Sequence, residues 1–329
     1  RHQIAAAIRI TSPNGIASLE SIQLGGVRQW IQIRGQDRTH PLLLVIHGGP
    51  GLPDMPQAYV NAALEKDFVV VQWDQRGAGK SFRSDMPGMN LEQFVSDAHD
   101  LVVRLRERFQ QPQIFLVAHS SGSVIALRLL AQDPQMFRAY VGISQAIDLA
   151  ESERILYQFA VDSAAQNHDE EATKELNKIG PPPWSSESQL QISQKWVNHF
   201  APDKFGALSP ARLRLAFCSP AYSLLDLVRF VRGAKFSFDH LWPQLFALNL
   251  KTEVPRLDVP VYFFVGRDDH VVTAQVQEEY FQALDAPRGK ELIWFEHSAH
   301  WPQLEEPEKF AREMSGRVLR ENPAAATAK

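Results

Sequence analysis

Residues 114–122 read IFLVAHSSG, and the reading of this stretch decides the fold. Ile114–Ala118 is an unbroken apolar run, the pattern of a strand buried on both faces. Helical spacing begins directly after it, through Val124, Leu127 and Leu130. The joint between them is Ala118-His119-Ser120-Ser121-Gly122. A strand–turn–helix joint with small residues two positions either side of a serine is the nucleophile-elbow pattern G-x-S-x-G, here with alanine first. Centring on Ser120 puts small residues at 118 and 122, whereas centring on Ser121 puts His119 and Ser123 there. Ser120 is therefore the candidate nucleophile. On the pentapeptide alone, a serine-rich helix N-cap is an equally good reading.

Residues elsewhere break that tie. A serine hydroxyl becomes a nucleophile when a base takes its proton and an acid orients that base. Behind a nucleophile elbow the chain order is serine, acid, histidine. "VYFFVGRDD" ends a strand pattern with Asp268 and Asp269, and "LIWFEHSAH" ends the next with His297 and His300. The later residue of each pair, Asp269 and His300, reaches further into its loop towards Ser120. The solvated alternative falls to Asp268 and His297. Two histidines with no ligand cluster nearby make a poor metal site, and none is expected.

Acyl transfer also needs donors for a developing oxyanion. His47-Gly48-Gly49-Pro50-Gly51 follows the apolar strand Leu42–Ile46, where a loop N–H joins the N–H after the nucleophile. The expected donors are the backbone N–H groups of Gly49 and Ser121, with His47 and Gly48 supporting the loop.

The stretch "DQRGAGKS", Asp74 to Ser81, ends like a nucleotide-binding phosphate loop. That loop needs a glycine where Asp74 stands and a helix after Ser81, where "FRSDMPGMN" reads as a loop. Nucleotide binding is therefore not expected. Asp74 and Arg76 are expected to form a charge-assisted pair bracing the oxyanion loop, and Lys80 to be solvated.

The rest of the chain repeats the strand–helix alternation. Ile22–Leu24 and Trp30–Ile33 flank Gly25-Gly26 as an antiparallel hairpin. Phe68–Trp73, Ala139–Ile143, Val261–Val265 and Leu292–Phe295 read as strands. Leu91–Phe109 carries helical spacing with Asn90 as N-cap and Gln93 three residues later. Helices are also expected through Val276 and Phe281 and near Glu308–Leu319. Between about 145 and 250 strand signals vanish and amphipathic stretches appear. These patterns predict a mostly parallel central sheet flanked by helices, with a helical insertion. The expected division is 1–145 and 251–322 for the core, 146–250 for a helical cap, and 323–329 as a disordered tail.

At 329 residues the chain is long enough for one large α/β domain or two smaller ones. Its net charge of −4 and the absence of a dense basic stripe argue against nucleic acid and anionic lipid as partners. Cys218 is the only cysteine, which excludes an intrachain disulfide. No apolar run approaches the roughly 20 residues of a membrane span. The chain starts at Arg1, so the expected location is cytoplasmic, or the cell envelope or exterior if a leader has been removed.

Together, "HGGPG", "DQRGAGKS", "AHSSG", "GRDD" and "HSAHWPQLEEPEKF" resemble the α/β-hydrolase superfamily, in particular its prolyl aminopeptidase (proline iminopeptidase) branch. The resemblance runs from about Ser18 to Leu319. It implies Ser120, Asp269 and His300 as the triad, and a helical cap over the site from about Ala146 to Leu250. Prolyl aminopeptidases typically carry a W-x-x-W-E segment, but here Trp196 is followed by Val197. The expected function is a serine hydrolase acting through an acyl-enzyme on a small ester, lactone or amide, needing no cofactor. A prolyl aminopeptidase acting on short peptides comes next, then a ligand-binding scaffold without turnover. Epoxide hydrolases and haloalkane dehalogenases of the same fold need an aspartate nucleophile, which Ser120 does not provide.

Overall fold

The longest hydrophobic runs of the sequence become the middle of one eight-stranded sheet in the computed structural model, which describes residues 1–319 apart from 185 and 207. The expected tail 323–329 lies outside the described residues. The strands are β1 (Ile16–Leu24), β2 (Val27–Gly35), β3 (Leu42–Ile46), β4 (Val69–Asp74), β5 (Ile114–His119), β6 (Phe137–Ile143), β7 (Val261–Gly266) and β8 (Lys290–Phe295). Their order across the sheet is β1-β2-β4-β3-β5-β6-β7-β8. β1 and β2 form the antiparallel hairpin, and β2 runs antiparallel to β4. All pairings from β4 to β8 are parallel, with Leu44 opposite Val71 on one side and Leu116 on the other. Gly25 and Gly26 both take positive φ, +51° and +78°, which closes the two-residue hairpin turn.

Alternation along the strands builds two cores. Leu44, Ile46, Leu116 and Ala118 face α2 (Leu91–Phe109) and α3 (Gly122–Gln132), whereas Leu43, Phe115, Val117 and Phe264 face Phe310, Met314 and Val318. α2 begins and ends where its periodicity does, and Asn90 Oδ1 accepts the Gln93 N–H at 2.9 Å. The Gln93 side chain does not reach back to Asn90 but donates to Asp97.

Between β6 and β7 the chain forms α4 (Leu149–Gln166), α5 (Glu170–Ile179), α6 (Glu187–Phe200), α7 (Pro210–Cys218), α8 (Leu224–Phe246) and α9 (Leu250–Glu253). α10 (Ala274–Ala283), α11 (Pro302–Glu305) and α12 (Pro307–Glu313) complete the core. Among the described residues, the short N-terminal helix α1 (His2–Ala7) and a run of 3₁₀ turns over Met55–Lys66 carried no sequence signal. Among the described residues no helix is long and apolar enough to cross a membrane.

Candidate active site

Ser120 sits where β5 ends and α3 begins, in the left-handed backbone region at φ +52°. A non-glycine residue held there is strained and must be over-determined by its surroundings. Those surroundings are visible. The Ser120 N–H donates to Ile143 O at 3.0 Å, and its carbonyl accepts from Ser123 N–H at 2.9 Å and Ser123 Oγ at 2.6 Å. A Cβ on Gly122 would lie 2.6 Å from the carbonyl oxygens of both Ile46 and His47. Glycine is therefore required at that end of the pattern by the neighbouring His47–Gly51 loop.

The β7–α10 and β8–α11 loops bring Asp269 and His300 into contact. His300 Nδ1 lies 3.2 and 3.1 Å from the two carboxylate oxygens, and both side chains are buried. Asp269 Oδ1 also accepts the N–H groups of Val271 and Val272 at 2.9 and 3.1 Å. Burial alone would raise the Asp269 carboxyl; the adjacent His300 and the two N–H donors outweigh it and hold the group below its ordinary range. For His300, burial lowers the pKa, but the Asp269 carboxylate outweighs it and the net shift is upward. An Nδ1–H donated to Asp269 leaves Nε2 free for the serine side. Asp268 and His297 are exposed. His119, immediately before Ser120, donates Nε2–H to His300 O at 2.8 Å and packs its ring 4.7 Å from the His300 ring. In this structure Ser120 Oγ makes no hydrogen bond to His300, a contact that commonly tightens only when substrate binds.

The His47–Gly51 loop, where the oxyanion donor was expected, lies against the turn at Ser120. A Cβ on Gly48 would fall 2.7 Å from Ser120 Cβ and 3.1 Å from Ser121 N. The backbone N–H groups of Gly49 and Ser121 donate to no other described group. What braces this loop differs from expectation. The Gln75 N–H donates to His47 Nε2 at 3.2 Å, so Nδ1 carries the ring proton and donates to Gly48 O at 3.0 Å. Gln75 Nε2 also donates to His47 O at 2.7 Å. Burial pushes His47 down to about 3, so it stays neutral and serves as a strut.

Asp74 and Arg76 do not pair. Arg76 turns to Asp97 on α2, with Nε and Nη2 each 2.9 Å from a carboxylate oxygen. Asp74 accepts from the Tyr222 hydroxyl and, at 2.7 Å, from Lys80 N–H. β4 ends at Asp74, and the turn that begins at Arg76 carries its side chain away from Asp74 towards α2. Nor is Lys80 solvated: its Nζ is 2.7 Å from Asp226 at the start of α8, beside the rings of Trp30 and Tyr222. The "DQRGAGKS" loop is thus the seat of the helical insertion.

Comparison with known proteins places this architecture. The family profile of the alpha/beta hydrolase fold matches residues 41–307. The chain belongs to the α/β-hydrolase family. This hydrolase is 33% identical over 314 residues to the probable aminopeptidase YbaC of Bacillus subtilis (strain 168), covering 93% of this chain and 98% of that one. It is 24% identical to the proline iminopeptidase of Heyndrickxia coagulans, over 82% of this chain and 87% of that one. The crystal structure of a Mycobacterium smegmatis proline iminopeptidase shares the fold, with TM-score 0.67 at 18% identity, over 94% of this chain and 100% of that one. The hydrolase lies in the prolyl aminopeptidase-like branch of its superfamily.

A cavity of about 810 Å³ opens onto Ser120 and Ser121. Its walls are largely apolar, including Leu149, Leu156, Val197, Phe238 and Trp242 of the insertion. One buried acid of α4 lines it. Glu153 is 3% exposed, its Oε1 accepts from Gln194 Nε2 at 3.0 Å, and its Oε2 has no partner. Burial raises its carboxyl to about 7. In the sequence Glu153 was indistinguishable from its solvated neighbour Glu151, and Gln75 carried no signal at all. Among the described residues no group of three or more His, Cys, Asp or Glu side chains could hold a metal ion.

Proposed function

We propose that this α/β hydrolase is a serine hydrolase working through an acyl-enzyme. Ser120 Oγ attacks the acyl carbon while its proton passes to His300 Nε2, and Asp269 orients and stabilises the resulting imidazolium. The N–H groups of Gly49 and Ser121 receive the oxyanion. His300 returns the proton to the departing amine or alcohol, then takes one from the water that releases the acid. The observation that carries this reading is the buried Asp269–His300 contact next to a serine held at positive φ. A fluorophosphonate probe tests it. The wild-type chain should be labelled at one site and Ser120→Ala not at all, with short-ester hydrolysis falling by about 10⁴-fold or more. Labelling of Ser120→Ala, or its hydrolysis at the wild-type rate, would refute the assignment.

For the substrate we propose an amide whose acyl part bears a free amine, as in aminopeptidase substrates. Residues alone ranked a small ester, lactone or amide slightly ahead of an aminopeptidase substrate. Glu153 reverses the order, because a protonated amine would give its unpartnered oxygen a donor and its buried charge a counter-charge. The relative named as a probable aminopeptidase supports the same reading. Aminoacyl arylamides should be turned over, their N-acetyl derivatives should not, and Glu153→Gln should raise KM by about 10- to 100-fold. Equal turnover of the N-acetyl compounds would move the substrate to esters and lactones and leave the serine mechanism standing.

A further inference from the structure

The helical insertion contributes one cation to the heart of the molecule, and the reading above gives it no task. Arg212 of α7 is wholly buried. Its guanidinium carbon stands 4.0 Å above the Trp301 ring, next in sequence to His300. Nη2 donates to Leu52 O at 3.3 Å, and the group lies 3.6 Å from Asp54. Leu52 N–H in turn closes the oxyanion loop on Gly48 O at 3.1 Å. A second insertion residue, Asp203, accepts from Trp301 Nε1 at 3.1 Å, so the indole is held by face and edge together. Trp301 also packs 4.2 Å from the His119 ring, which is bonded to the His300 carbonyl.

We infer that Arg212 is a positioning residue that clamps the oxyanion loop to the histidine loop from the insertion side, so that the two halves of the site are set at one distance. This rests on the serine-hydrolase reading. A planar guanidinium suits the task because it stacks on an indole and donates sideways at once, which an ammonium cannot do. Its desolvation in a wholly buried site is offset only in part by Asp54 and Asp203.

The clamp has an electrical signature. The charged and titratable groups facing His300 are Asp269 from the β7–α10 loop, Asp203 from the α6–α7 segment, Glu305 from α11, His119 from β5 and Arg212 itself. The carboxylates favour the imidazolium, and Arg212 opposes it. Removing Arg212 therefore raises the pH at which His300 becomes the neutral base.

The test is the rate of fluorophosphonate labelling across pH, which needs no knowledge of substrate, on wild type, Arg212→Lys and Arg212→Met. Arg212→Lys should label about 10- to 100-fold more slowly with its acid limb at the wild-type pH, since charge remains and stacking is lost. Arg212→Met should be as slow or slower, with the acid limb moved to higher pH. Wild-type rates in Arg212→Lys, or an unmoved limb in a folded Arg212→Met, would overturn the inference. If Arg212→Met does not fold, the Arg212→Lys rate decides alone. Failure of the wild-type chain to label would instead refute the serine-hydrolase reading.

Discussion

Replacing Arg76 by methionine isolates what the "DQRGAGKS" loop does. The Arg76 and Asp97 side chains are 1% and 0% exposed. Methionine keeps most of the stem volume and removes two hydrogen bonds to Asp97, plus those to Pro87 O and Gly25 O at 2.6 and 3.1 Å. Asp97 would retain Gln29 Nε2 at 2.6 Å and Gln93 Nε2 at 2.9 Å, but no cation. A buried charge stripped of its partner costs about 3–5 kcal/mol. At about 2.1 cal/mol/K per residue, this chain's unfolding entropy is about 0.7 kcal/mol/K, so the melting temperature should fall by about 4–7 °C. Adding Asp97→Leu removes the stranded charge, and the double variant should recover at least half of the loss, as replacement of buried pairs by apolar groups generally does. Differential scanning calorimetry measures both. Well below the transition, fluorophosphonate labelling of Arg76→Met should match wild type, because Gln75 and His47 hold the oxyanion loop. A melting shift under about 1 °C, or a double variant no better than the single, would refute the energetic argument. Slow labelling in a folded Arg76→Met would return the brace to Arg76.

Two further outcomes follow from strain and burial. Ser120→Gly should unfold at higher urea than Ser120→Ala, by about 1–2 kcal/mol, because glycine occupies φ +52° freely; equal midpoints would mean that the elbow carries no strain. Asp74→Asn tests the buried carboxyl next to Tyr222, raised to about 7 by burial against the hydrogen bonds it receives. A raised folded pKa means that the native state holds the proton longer than the unfolded chain, so this group's contribution to stability is full below about pH 4 and is lost as pH rises through about 7. Asp74→Asn lacks that loss, so relative to wild type it should gain up to about 4 kcal/mol between pH 4 and pH 8, and parallel stability curves would refute the assignment.

What was legible in the sequence was local. The hairpin turn at Gly25-Gly26, α2 with its Asn90 cap, and the joint at Ser120 each depend on residues a few positions apart, where periodicity and turn chemistry act directly. Asp269 and His300 were legible because strand ends of a parallel sheet converge, so a loop position also gives a place in space. The partners of Arg76 and Lys80 were not legible. Neighbours in sequence suggested Asp74 for Arg76, but the strand ends at Asp74 and the turn after it separates the two side chains, while Asp97 arrives on a helix laid across the sheet. Lys80 meets Asp226 from 146 residues away. Arg212, in "SPARLRLAFC", has the pattern of an ordinary solvated helix face.

These missed contacts share one property. Tyr222 and Asp226 rest on Asp74 and Lys80, and Ser237 on Gly77 O at 3.3 Å. Gly51 approaches α8 so closely that a Cβ would lie 2.5 Å from Ser237 Cβ. Arg212 and Asp203 take hold of Leu52 and Trp301. These footings lie at the carboxyl ends of β3, β4 and β8, which also carry the proposed oxyanion donor Gly49, its brace Gln75 and the proposed base His300. The insertion also rests elsewhere, with Gln244 on the start of α2 and Glu253 on Arg128 of α3, but a change at the footings named above would shift the proposed catalytic geometry, because interiors at native packing density pass such shifts on. On the proposed mechanism, substrate selection in the insertion and reactivity at Ser120 are therefore mechanically linked, because α8 both lines the cavity and rests on the loop after β4.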